Sequence, residues 1–286
     1  MGGRDRHQPD GRGVPVKIVV AAVQMPSELL QRTVNLEIAD DFLSECHRVG
    51  AQLSVLPEMF NTGYGLLPDF GPCSEGLDGP TLRHLSLRSR QWGMGIAAGF
   101  VERNGRHLYD ALALCLPAGP IHVYRKRHLV FWEGFRFRAG RTPLVVVTPW
   151  GRVGLAVCAD MMDRRVWNDY RGRIDLAVVA SAWPEFACRH SGRRHFLFGH
   201  VGPMATAIPT EVARDLDVPV IFANQTGTTR TTIPVLGLTM AMHIDDRFAG
   251  HSSICGGRNV SPIVAGAEPQ LILSEINIHE PHKILA

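Results

Sequence analysis

Short β-branched, apolar runs alternate with longer amphipathic stretches along this chain. Val16 to Val23 is one such run, and from Ser27 to Val49 the apolar positions Leu30, Val34, Ile38, Phe42 and Val49 recur at helical spacing. The pattern predicts a strand, then a helix that Gly50 stops. Leu53 to Leu56 predicts the next strand, broken by Pro57 just before Glu58. A Gly- and Pro-rich loop over 63–80 leads to a predicted helix at Thr81 to Gln91 and a strand at Gly95 to Glu102. Asn104-Gly105 is a hairpin signal between that strand and Leu108 to Leu116. The turn Pro117-Ala118-Gly119-Pro120 then feeds a strand that ends near Lys126.

Downstream, Leu144 to Thr148, Val153 to Cys158, Leu176 to Ser181 and Val218 to Ala223 are short and nearly all apolar, as strands covered on both faces are. Helical patterns fall at Asp163 to Arg171 and Pro209 to Leu216, and the pattern assigns no strand beyond Ala223. Hairpins mixed with helix-linked strands predict a layered α/β sandwich rather than a simple doubly wound sheet. There is no internal repeat and no compositional break after residue 16, so residues 16–286 are expected to form a single domain behind a flexible tail, residues 1–15.

Composition narrows the function classes. The chain has 286 residues, 45% hydrophobic and 20% charged, with a net charge of +3 that comes from scattered arginines, without the basic run that a nucleic-acid footprint needs. The cysteines at 46, 73, 115, 158, 188 and 255 form no paired motif, and such wide spacing predicts free thiols in a reducing cytoplasm. No stretch approaches a membrane span, and residues 1–15 carry no apolar signal-peptide core. Export, membrane insertion and nucleic-acid binding are therefore not expected.

Three predicted strands end in chemistry: Glu58 after Leu56-Pro57, Lys126 after Tyr124-Arg125, and Cys158 after the run Val153 to Val157. The C-terminal ends of strands in open α/β sheets are where such folds place their sites. Acyl transfer at an amide needs a nucleophile, a base that later protonates the leaving amine, and a donor to the oxyanion. Cys158, Glu58 and Lys126 are the residue types for those roles, and the backbone N–H of Ala159 is a candidate second oxyanion donor. Taken singly, each also has an ordinary structural explanation, such as a buried structural thiol or a solvated loop charge.

The residues carry a resemblance beyond this pattern. Leu56-Pro57-Glu58-Met59 with Gly63-Tyr64, Tyr124-Arg125-Lys126-Arg127-His128-Leu129 and Gly154-Leu155-Ala156-Val157-Cys158-Ala159-Asp160 resemble, in this order, the motifs of the nitrilase superfamily of carbon–nitrogen hydrolases. Gln24, Asn35-Leu36, Ser181-Ala182-Trp183-Pro184, Ala223-Asn224 and Gly250-His251-Ser252-Ser253-Ile254 extend the resemblance over about residues 16–277. It implies a four-layer αββα sandwich paired with another subunit through helices, and no metal or organic cofactor. It further implies that Glu58 is the general base, that Lys126 stabilises the tetrahedral intermediate, and that Cys158 forms a thioester which water hydrolyses. Glu133, in Phe131-Trp132-Glu133-Gly134, matches a further acidic residue of the family that positions substrate or lysine.

Two segments depart from the family pattern: Met161 to Trp167, where most members carry an Arg-aromatic-Pro-Glu segment, and Phe196 to Asp217, with a helix start expected at Pro209-Thr210-Glu211. Members acting on nitriles often carry Trp-Glu after the nucleophile, so Ala159-Asp160 leans towards amides. Tyr64, Trp132 and Trp183 are candidate walls of the substrate pocket, with ordinary packing as the alternative. His190, His195 and His200 lie beside Cys188, but their five-residue steps share no helix face and predict no metal site. The expectation is a cytoplasmic, homo-oligomeric thiol amidohydrolase acting on a small amide or N-carbamoyl compound. Its alternatives are a nitrilase using the same residues, an acyl transferase to amines, and a non-catalytic protein that kept the fold.

Overall fold

Two mixed β-sheets lie face to face, each covered on its outer side by helices. The computed structural model describes residues 16–65, 68–130, 132–185, 201–234, 241–258 and 260–278. In chain order, β1 (Val16–Pro26), α1 (Arg32–Arg48), β2 (Leu53–Val55), α2 (Pro80–Trp92), β3 (Gly95–Asn104), β4 (His107–Cys115) and β5 (His122–Arg125) make up the first half. The second half runs β6 (Val145–Thr148), β7 (Gly151–Val157), α3 (Arg164–Tyr170), β8 (Leu176–Ser181), α4 (Val201–Leu216) and β9 (Val220–Thr226). It closes with β10 (Thr228–Pro234), β11 (Ala241–Arg247), β12 (Ser253–Cys255), β13 (Ile263–Val264) and β14 (Gln270–Ile278).

One sheet has the order β14-β1-β2-β3-β4-β5 and the other β13-β12-β9-β8-β7-β6; Met25 and Pro26 pair with Gln225 and Thr226 to join them at one corner. The period of two along β1 separates the layers. Ile18, Val20 and Ala22 enter the core shared with Val153, Leu155, Val179 and Ile221 of the second sheet. Ala21, Val23 and Met25 instead pack with Ala39, Leu43, Leu82 and Leu85 of α1 and α2. Ala205, Val212 and Ala213 of α4, with Val166 and Tyr170 of α3, cover the second sheet. The layers are thus α, β, β, α, as the sequence and its resemblance lead one to expect. No helix among the described residues is long and apolar enough to cross a membrane.

The structure corrects several boundaries. The first helix starts at Arg32 rather than Ser27, because Leu30 takes a left-handed conformation (φ 60°) and its N–H donates to the Thr62 carbonyl, which bends the chain into a turn. Pro209 does not start α4 but lies inside it. A helix tolerates the one hydrogen bond lost at such a proline when tertiary packing holds it, here through Ala205, Val212 and Ala213. The strands β10 to β14 have no counterpart in the sequence assignment. Of these, β14 is apolar on both faces, with Ile272 and Ile276 in the inter-sheet core and Leu271 and Leu273 towards α1 and α2. The tail 1–15 and the segment with Cys188, His190, His195 and His200 lie outside the described residues.

Candidate active site

The three strand ends singled out in the sequence converge. Glu58 follows β2, Lys126 follows β5 and Cys158 follows β7; Glu58 and Lys126 are fully buried and Cys158 nearly so. Cys158 opens a 3-10 turn, Cys158–Met162, with φ at 44°, a left-handed backbone that a β-carbon disfavours. Such strain is characteristic of functional sites and turns the side chain sharply off the strand direction. Met59, after the glutamate, is left-handed too, at φ 48°.

The glutamate's backbone is held from three sides. Its N–H donates to the Ser181 carbonyl (3.3 Å), its carbonyl accepts from Gln225 Nε2 (2.7 Å), and Gly99 of β3 passes directly beneath it. A β-carbon at Gly99 would lie 2.4 Å from Glu58 Cα and 2.7 Å from the Pro57 carbonyl oxygen, so only glycine permits this approach. Gly99→Ala is therefore expected to move Glu58 off its partners, lowering stability by about 1–3 kcal/mol and activity by more than that loss of fold accounts for. Thermal melts beside the turnover of the fraction that stays folded would measure both, and an unaltered kcat would refute the packing argument.

Lys126 Nζ donates to Glu58 Oε1 (2.6 Å) and Glu133 Oε1 (2.7 Å), and Asp110 Oδ2 lies 3.1 Å away. Oε2 of Glu58 accepts from the Ala182 N–H at 2.6 Å. Glu133 also accepts from the Tyr64 hydroxyl (2.9 Å) and the Val130 N–H (2.9 Å), while Trp132 Nε1 donates to the Tyr64 oxygen (2.9 Å). Tyr64 and Trp132 thus stand as a hydrogen-bonded chain behind Glu133, and Tyr64 meets Phe248 edge-on with 6.4 Å between ring centroids. The ammonium occupies the place among Glu58, Asp110 and Glu133 that a metal ion would take.

Burial works against every charge here, and the lysine decides which charges survive. Burial alone would raise the Glu58 carboxyl, but the Lys126 charge and the surrounding hydrogen bonds outweigh it and hold Glu58 below the ordinary range. Burial would lower Lys126; Glu133, Glu58 and Asp110 push it well above its usual value. Burial and the Glu58 charge push the Cys158 thiol well up, against the charge of Lys126. The sulfur is a neutral thiol at rest beside an ionised carboxylate. Proton transfer from the thiol to that carboxylate is uphill at rest.

Three further residues of the sequence reading find their places in the structure. Asp160 makes no contact towards the thiol: Oδ1 accepts from the N–H groups of Arg127 (3.1 Å) and His128 (2.7 Å), and Oδ2 from the Tyr124 hydroxyl (2.8 Å) and the Val157 N–H (3.0 Å). It ties the loop after Lys126 to the turn of Cys158. Trp183 is buried within the core, its N–H held by Asn224 Oδ1 at 2.7 Å. Ala159 is buried in the turn that follows Cys158. Asp110 of β4 belongs to the cluster and carries no sequence signal, since it stands in an otherwise apolar strand; only the pairing of Ala111 with Arg125 brings it opposite Lys126. A cavity of about 820 Å³ lined by Tyr109, Arg125, Arg138 and Leu144 includes none of Glu58, Asp110, Lys126, Glu133 and Cys158.

The family model described as carbon-nitrogen hydrolase matches residues 19–258, which takes in all three strand ends. The chain belongs to the carbon-nitrogen hydrolase family. Among curated relatives of this hydrolase family, a nitrilase of Pyrococcus abyssi is 35% identical over 147 residues, 50% of this chain and 56% of the relative. The omega-amidase NIT2 of Bos taurus is 31% identical over 143 residues, 46% of this chain and 51% of the relative. The chain thus spans about half the length of these curated relatives. Nit3 of Saccharomyces cerevisiae, a solved member of the nitrilase superfamily, shares the fold with a TM-score of 0.72 at 20% identity, over 91% of this chain and 90% of that one. An amidase from Nesterenkonia sp. AN1, solved with acrylamide added at its active-site cysteine, superposes with a TM-score of 0.69 at 21% identity, over 91% of this chain and 93% of that one.

Proposed function

We propose that this chain hydrolyses the C–N bond of a small amide or N-carbamoyl compound through a thioester on Cys158. The observation that carries the reading is the Lys126 ammonium bridging Glu58 and Glu133 beside the buried Cys158 thiol, at three converging strand ends. Glu58 takes the thiol proton as sulfur bonds to the carbonyl carbon. The oxygen that becomes anionic is met by Lys126 and by the Ala159 N–H. Glu58 then protonates the leaving nitrogen and the C–N bond breaks. Water attacks the thioester, giving its proton to Glu58, and the released sulfur takes that proton back.

Glu133 fixes the ammonium, and Tyr64 and Trp132 fix Glu133 in turn. The same reading needs no metal or organic cofactor, and has the protein act as a cytoplasmic homo-oligomer. The second reading is a nitrilase, favoured by the Pyrococcus abyssi relative. The omega-amidase NIT2 relative and the amidase sharing the fold support the first.

Incubation with matched amide, N-carbamoyl and nitrile panels, assayed for ammonia and acid, tests the choice. Amides or carbamoyl compounds are expected to show kcat/KM at least about tenfold above the matched nitriles, a transition-state difference of about 1.4 kcal/mol. Faster nitriles would reverse the assignment. Absence of turnover and of any adduct at residue 158 across all three panels would leave a binding protein.

A further inference from the structure

Three carboxylates surround one ammonium in this site, and one of them is unlike the others. Glu58 accepts from Lys126 and Ala182, and Glu133 from Lys126, Tyr64 and Val130. Both Asp110 oxygens are fully buried and meet no well-directed donor among the described residues. The 3.1 Å approach of Lys126 Nζ to Asp110 Oδ2 supplies charge but no hydrogen bond of good geometry. Glu58, Asp110 and Glu133 each place an oxygen within 4.8 Å of the others. Three ionised carboxylates against one ammonium would leave two uncompensated charges in a dry interior, where each costs several kcal/mol. A carboxyl without donors relieves that cost most simply by keeping its proton and donating it.

We propose that Asp110 is a positioning residue that holds the cluster's proton and donates a hydrogen bond to Glu58, so that Glu58 alone is the ionised base facing Cys158. The groups facing it are Glu58 after β2, Lys126 after β5 and Glu133 in the following 3-10 turn, with Cys158 and Tyr64 beyond them. Burial and the charge of Glu58 raise the Asp110 carboxyl well above the ordinary range, in keeping with this arrangement. The order of protonation among the carboxylates follows: Asp110 keeps the spare proton, and Glu58 stays free to receive the thiol's. No proton leaves Asp110 during turnover.

The inference rests on the catalytic reading of the site, but its first test needs no substrate. The full-length protein is compared with Asp110→Asn by infrared difference spectroscopy at neutral pH. A carboxylic-acid C=O band that shifts in heavy water is expected in the wild type and absent from Asp110→Asn. The second test is the pH profile of kcat/KM. Asn stays neutral and still donates to Glu58, so Asp110→Asn is expected to keep both its activity and the acid limb of the profile. Asp110→Ala removes the donor, so Glu58 becomes easier to protonate. Its acid limb moves to higher pH, and activity falls about tenfold, as loss of a hydrogen bond to a charged group implies.

Absence of the band would overturn the proposal. So would an acid limb in Asp110→Asn displaced about one unit to lower pH, the sign of an anion removed from beside Glu58. An Asp110→Ala profile identical to wild type would overturn it as well. If Asp110→Ala does not fold, the band and Asp110→Asn still decide. If no amide turns over at all, the catalytic reading fails, while the band still reports the proton on Asp110.

Discussion

Cys158→Ala is expected to abolish hydrolysis, a fall on the order of 10⁶-fold, the scale reached when a covalent nucleophile is deleted, with the fold intact. Alanine keeps the β-carbon, so the left-handed backbone at φ 44° is no more strained than in the wild type, and the turn Cys158–Met162 keeps its hydrogen bonds through Asp160. Only the sulfur is lost, and with it the atom on which the proposed thioester forms. Intact-mass spectrometry during exposure to a reactive acyl compound should show one acyl mass on residue 158 of the wild type and none on the variant. Melting curves should nearly coincide. Turnover by the variant at a tenth of the wild-type rate would remove Cys158 from the role of nucleophile. The neutral resting thiol adds a finer expectation: alkylation by an uncharged reagent should climb with pH and show no plateau at neutral pH, where a stable thiolate would give one.

Lys126→Met should cost both activity and stability. Methionine preserves much of the side-chain volume but withdraws the charge shared by Glu58, Glu133 and Asp110. Removing one partner of a buried ionic cluster costs about 3–5 kcal/mol, which in a protein of this size corresponds to a fall of about 10 °C in Tm. The pH dependence fixes the cause. In the wild type, Glu58 sits below its ordinary range, so its contribution is present above the unfolded value of about 4.5 and is lost as pH falls through the folded one. In the variant Glu58 joins Asp110 and Glu133 as a raised carboxyl. Their contribution is present below the unfolded value and is lost as pH rises. The gap in Tm between the two proteins should therefore be widest at neutral pH and close on acidification. A gap independent of pH would mean that the lysine stem packs the core and its charge does not matter. Activity should vanish in parallel, since a protonated Glu58 cannot accept the thiol proton.

Much of the frame is legible from local pattern. The β-branched run of Val153 to Val157 reads as a strand because strands covered on both faces need no polar side, and Pro57 marks the end of β2 because it cannot continue a ladder. The supporting motifs gain their reasons only in three dimensions. Gln24 on β1 accepts from the Ser252 N–H (2.8 Å) and donates to the Gly266 carbonyl (2.9 Å), while Asn224 donates to the Gly250 carbonyl (2.6 Å) and its N–H donates to the Ser252 hydroxyl (2.8 Å). These amides lash the two sheets together near the corner where β1 meets β9. Asn35 of α1 likewise donates to the Asn61 carbonyl (3.2 Å), steadying the loop that carries Glu58.

The sequence by itself determined the strand ends that carry Glu58, Lys126 and Cys158, their order, and the α/β layering, because periodicity and burial are local properties that one stretch of chain expresses alone. The tertiary structure decided which side chains meet. It put Asp110 opposite Lys126 through the register of β4 on β5, turned Asp160 into a strut between two loops, and required glycine at 99 because the backbone of Glu58 lies against it. Those outcomes depend on strand register and close approach between segments distant along the chain, and no window of sequence contains both partners.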